Sequence, residues 1–168
     1  MSDHLWRAYA RTWVEFVDID GSVWAIEPIE PNEPVIRDAD DTGPAVEGWR
    51  EGVAPMCLAG VATAWVLTGH NPGSAPLPPS QNRRRHLDLV TAVAEAGHHG
   101  HRAVGRAMAG DWSEDSLLVC GAPEDLVLDL ARRFDQNAVY RWTPTSWSII
   151  GVHLIGSRHG GWRGFPLD

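Results

Sequence analysis

Between residues 12 and 27, Val14, Phe16, Val17, Ile19, Val23, Trp24 and Ile26 flank the dipeptide Asp20-Gly21. A pair that tolerates positive φ between two β-rich runs predicts a hairpin. The pattern then breaks. From 28 to 57, Pro28, Pro31, Pro34, Pro44 and Pro55 are interspersed with acids, which predicts a surface insertion within one domain, with Glu47 to Arg50 able to form one helical turn. Leu58 to Thr68 is rich in Val, Ala, Trp and Leu, the text of a central strand covered on both faces. A Gly/Pro/Ser-dense loop leads to Ser80, read as an N-cap, and to the helical stripe Leu87, Leu89, Val90, Val93 and Ala94, which ends near Gly97. Arg102 to Met108 and Ser116 to Cys120 read as a strand pair around Gly110-Asp111. Pro123, Glu124 and Asp125 open a second helix, whose buried side is Leu126, Leu128, Leu130, Ala131 and Phe134. Ala138 to Trp142 and Ser146 to Leu154 read as strands, and Gly-rich 156–168 as a loose tail.

From residue 58 the succession is strand, helix, strand, strand, helix, strand, which predicts an α+β, ferredoxin-like split βαβ core with an extra N-terminal hairpin and an extra C-terminal strand. In that topology alternate connections share one sheet edge. The loop from His70 to Asn82, the hairpin from Met108 to Ser116 and the junction from Phe134 to Ala138 are therefore expected to be neighbours.

Composition narrows the function. The 168 residues, 43% hydrophobic and 21% charged, suit a single globular domain. No apolar run reaches membrane-span length and the first eleven residues lack a signal-peptide core, so the expected location is the cytoplasm, with no membrane partner. The net charge of −8 argues against general nucleic-acid binding. All fourteen cations are arginine, which excludes lysine Schiff-base chemistry and a phosphate-loop lysine. Two cysteines, Cys57 and Cys120, are too few for a disulfide framework and read as packing residues. A homo-oligomer is compatible with the sequence but not predicted by it.

Three motifs stand out: Thr68-Gly69-His70-Asn71-Pro72-Gly73-Ser74 with Asn82 and Arg85; Trp112-Ser113-Glu114 with Ser116 to Gly121; and Arg133-Phe134-Asp135-Gln136-Asn137-Ala138-Val139. In order and spacing they resemble an uncharacterised bacterial family, domain of unknown function 3293, over roughly residues 58 to 142. Gly69 departs from the family's Ala, and the resemblance does not extend to the amino-terminal third or the tail. The resemblance implies no established activity.

Asn71, before Pro72, is expected in a fixed extended turn that projects its amide; the plainer role is closing its own loop. Asn71 and Ser74, with Gln136 and Asn137, could read a polar ligand edge. Asn82 and Arg85, at a helix start, suit an anion, against the alternative of a solvated basic face. Glu114 beside Trp112 is the candidate acid or base, with His70 as its proton-transfer partner; the alternative for each is an ordinary surface residue. His98, His99 and His101 are expected to bind no metal, since adjacent strand histidines point apart. No dinucleotide, phosphate-loop or serine-hydrolase motif is present, so no cofactor is implied. Three readings follow: a module binding a small polar or phosphorylated, nucleotide-like anion at one sheet edge; an enzyme acting on such a ligand through Glu114 and His70; and a protein-interaction module.

Overall fold

The computed structural model describes residues 2–29 and 47–167. Its strands are β1 (Thr12–Val17), β2 (Val23–Ile29), β3 (Gly48–Trp49), β4 (Ala64–Thr68), β5 (Gly100–Ala107), β6 (Ser113–Cys120), β7 (Ala138–Thr143), β8 (Ser146–Gly151) and β9 (Ser157–Leu167). They form one sheet in the order β2-β1-β5-β6-β4-β7-β8-β9-β3, and β2 pairs with β9 as well. That last pairing, in register from Val23↔Leu167 to Ile29↔Gly161, closes eight strands into an antiparallel barrel. The two-residue β3 lies parallel on β9.

Closure overturns the expected ferredoxin-like α+β fold. The succession from β4 to β7 is strand, helix, strand, strand, helix, strand, but its sheet is not open, because β1 continues it beyond β5 and β8 beyond β7. The expected loose tail at 156–168 also falls, since Ser157–Leu167 is an eleven-residue strand paired first with β8 and then with β2. One of its glycines serves close packing rather than looseness. A Cβ on Gly164 would lie 2.1 Å from the Trp49 ring, so the residue that weakens a strand prediction is the one that lets two elements approach.

The hairpin of β1 and β2 forms about Gly21, whose φ of +86 the turn requires. Beyond it, the expected insertion over 28–57 lies largely outside the described residues. Pro28 and Ile29 complete β2; the helical turn expected over Glu47 to Arg50 is replaced by the strand β3 at Gly48–Trp49, and a 3-10 turn follows at Arg50–Gly52.

β4 is flanked by β6 and β7 and starts later than predicted. Met56–Leu58 is a 3-10 turn, and Gly60 at φ +71 breaks the extended run. The pleat of β4 shows how one strand serves two cores. Ala64 and Val66 join the barrel interior, whereas Trp65 and Leu67 join an outer cluster under helices α2 (Pro79–Glu95) and α3 (Glu124–Arg133). The buried stripe of α2 is Asn82, Leu89, Ala92 and Val93, while Leu87 and Val90 are exposed. Pro78, not Ser80, stands at its N-cap. The remaining helix, α1 (Ser2–Ala10), precedes the first element that the hydrophobic pattern predicts. Trp6 packs from it into the interior cluster, and the Tyr9 ring lies 5.8 Å from Tyr140. Among the described residues, no helix is long and apolar enough to cross a membrane.

Candidate functional site: a cavity at one end of the barrel

An eight-stranded barrel is just wide enough to be filled by side chains or to hold one small ligand. Here the two ends differ. Where β4 runs into residues 69–76 and β5 turns into β6, the interior positions are small or polar: Thr12, Gly105, Ala107, Ser116 and Ala138. They leave a cavity of about 810 Å³, overhung by Leu5, Ala8 and Tyr9 of α1 and rimmed by Met108 and Trp112. Apolar walls with a few convergent polar groups are the usual make-up of a ligand site.

The polar groups are organised around Asn71. Its backbone is left-handed (φ 44, ψ 64), not extended as expected. Proline disfavours right-handed helical geometry in the residue before it, but the left-handed region is open to Asn. Asn71 Nδ2 donates to Glu114 Oε1 at 2.6 Å, and Asn71 Oδ1 accepts from Asn82 Nδ2 at 2.8 Å and from the Leu77 N–H at 2.9 Å. Asn82 Oδ1 in turn accepts from the Asn71 N–H. Both polar atoms of the Asn71 side chain are thereby engaged, and its amide holds one of the two Glu114 carboxyl oxygens.

Burial raises the Glu114 carboxyl above its ordinary range, against the opposing pull of the Asn71 hydrogen bond. Burial, and next the neighbouring Glu114 charge, push the Tyr9 phenol up to about 12 against the opposing influence of Ser74 and the Ala138 backbone. At neutral pH the cavity therefore offers a neutral phenol beside a carboxyl that is costly to ionise.

The sequence-derived candidates divide into groups. Asn71, Ser74, Trp112, Glu114 and Gln136 line the cavity. Asn82 and Asn137 stand behind that wall: Asn137 Nδ2 donates to Ser74 Oγ at 2.7 Å, and the Asn137 carbonyl accepts from the N–H groups of Val152, His153 and Leu154. Gln136 Nε2 donates to the His70 and Phe134 carbonyls. Arg85 is not in the cavity wall. Its guanidinium donates to the Gly69 and Phe134 carbonyls at 2.7 and 2.6 Å, which pins the loop after β4 to the end of α3. A Cβ on Gly69 would lie 2.7 Å from the Arg85 carbonyl oxygen, which gives the glycine at this motif position a packing reason. Nor does the structure join His70 to Glu114. The imidazole lies 3.8 Å from Asp115 Oδ2 and against His86, and Asp115 leaves β6 on the face opposite Glu114.

Sequence reasoning missed Tyr9, Thr12, Ser116 and Tyr140 as lining residues. The spacing of Leu5, Trp6 and Tyr9 was the available helical signal. Of the histidines at 98–101, His98 lines a small void against the outer helices, His99 is exposed, and His101 faces inward at the far end of the barrel.

The fold and cavity thus define a closed antiparallel barrel with an internal site at one end. Residues 67–139 match the family model described as Protein of unknown function (DUF3293), so the family resemblance read from the motifs holds over that segment. No curated protein and no solved structure matches the chain. The matched segment supplies the Asn71 loop, the hairpin of β5 and β6 and the start of β7, while the lining residues Leu5, Tyr9, Thr12 and Tyr140 lie outside it.

Proposed function

We propose that the barrel binds one small molecule in the cavity under α1, with an apolar body against Tyr9, Tyr140 and Trp112 and a hydrogen-bond donor directed to Glu114. The observation that carries this reading is a mostly apolar space of about 810 Å³ into which one half-buried carboxyl projects. The nucleotide-like anion expected from the sequence fits this space less well, because Arg85 is spent on backbone carbonyls, the lining holds the single guanidinium of Arg11, and a carboxyl in a low-dielectric wall repels a phosphate when ionised. An uncharged or cationic ligand with an N–H or O–H group answers both features.

A thermal-shift comparison of aromatic amines, neutral aromatic alcohols and nucleoside phosphates tests the assignment. A ligand present at a hundred times its Kd adds about 2.7 kcal/mol. The expected result is stabilisation by an amine or alcohol, abolished by Ala107→Trp, which fills the cavity. Stabilisation that survives Ala107→Trp unchanged, or is confined to the phosphates, overturns it.

A further inference from the structure

The barrel's other end holds a side-chain cluster that the cavity does not involve. Along β6, Glu114 and Cys120 are six residues apart, about 20 Å in an extended strand. Cys120 and His101 share the inward parity of Leu118 and Ala103, which belong to the interior cluster. Cys57 reaches the same place from the 3-10 turn Met56–Leu58. The Cys57 and Cys120 sulfurs and a His101 ring nitrogen all lie within 4.8 Å of one another.

We propose that Cys57, Cys120 and His101 bind one zinc-class divalent ion at this end of the barrel. Two thiolates and an imidazole are the donor set that a borderline-soft, tetrahedral ion selects. Around such an ion, with sulfur at about 2.3 Å and nitrogen at about 2.0 Å, ligand atoms stand roughly 3.5–3.8 Å apart. The observed spacing therefore needs side-chain adjustment and no change of fold.

The surroundings fix the ligands as an outer shell would. Asp18, 5% exposed, accepts from the N–H groups of Met56 at 2.6 Å and Cys57 at 2.8 Å and so holds the turn that carries Cys57. Its carboxylate also places a negative charge beside the cation. Because Asp18 is committed to backbone N–H groups, the fourth position falls to solvent, and the half-buried Cys120 and His101 leave it a route in. Binding releases the thiol protons, so affinity rises with pH. The ligand positions 57, 101 and 120 have no CxxC or HxxxH spacing, which is why no sequence motif announces them. This proposal is independent of the small-molecule reading, since the two sites sit at opposite ends of the barrel.

Titrating the reduced, full-length protein with zinc, and separately with cobalt, tests it. The expected result is one equivalent bound per chain, a thiolate-to-cobalt charge-transfer band with tetrahedral d–d absorption, and an affinity loss in Cys120→Ser and His101→Ala larger than the roughly 10–100-fold seen when an outer-shell partner is removed. Should either variant fail to fold, the wild-type cobalt spectrum decides alone. No binding by the reduced protein, a cobalt spectrum without thiolate bands, or undiminished affinity in a folded Cys120→Ser protein each overturns the site. Recovery of Cys57 and Cys120 only as a disulfide that reductant does not open also overturns it.

Discussion

At one end of the barrel, Trp24, Trp49, Trp142 and Trp162 pack on one another in edge-to-face and tilted contacts, with ring centroids 4.9 to 6.3 Å apart. At the other end, Thr12, Gly105, Ala107, Ser116 and Ala138 occupy equivalent inward positions and leave about 810 Å³ unfilled. Both ends are made by the same pleated strands with the same alternation. The difference lies only in the volume of the inward residues, and it separates a load of buried aromatic surface from a space in which a ligand can be held.

The comparison is broken most directly at Trp162, 2% exposed among three other indoles. Trp162→Ala should cost about 3–5 kcal/mol in a urea titration, and a loss below about 1 kcal/mol would show that the aromatic end does not carry the fold. Next in size is a matched pair of glycines. Gly164→Ala sets a methyl 2.1 Å from the Trp49 ring and should destabilise by about 1–3 kcal/mol. Gly105→Ala meets only the Thr12 methyl at 3.6 Å and the Ser116 hydroxyl at 3.9 Å, both ordinary contacts, and should be neutral or stabilise by about 0.4–1 kcal/mol. Equal effects at the two glycines would remove the distinction between the ends.

Asn71→Ala tests the polar wall. It strips Glu114 of its amide donor and leaves Asn82 Nδ2 without that acceptor, so a loss of about 1–3 kcal/mol is expected by the same titration. The smallest effect is the pH dependence of Glu114. Burial raises its folded-state pKa, so the folded chain holds a proton that the unfolded chain has already released. Stability from this group is therefore greatest below the ordinary carboxyl range and falls as pH rises from there through the folded-state pKa. Melting temperatures recorded across that interval should decline with pH in the wild type and decline less in Glu114→Gln. Identical slopes would show that the carboxyl is not desolvated.

Local chemistry was legible wherever a residue's role depends on near neighbours in the chain. The hairpin about Asp20-Gly21 and the two outer helices could be read because turn propensity and hydrophobic period act over a few residues; the neighbourhood of Asn71, Glu114 and Gln136 followed instead from the order of elements between β4 and β7, which the barrel keeps. The same logic misassigned Leu87 and Val90, which fit a helical stripe yet face outward; periodicity gives a face but not the partner that covers it. Closure was decided elsewhere. β2 meets β9 across more than a hundred positions of the chain, and nothing in the glycine-rich text of β9 signals that an edge strand awaits it, since edge pairing is a property of the assembled sheet. Likewise Cys57, His101 and Cys120 carry no spacing that relates them. Sequence by itself determined the alternation of inward and outward side chains; only the tertiary structure decided that the inward faces enclose one lumen, because closing a barrel is a matter of strand number and register rather than of any single residue.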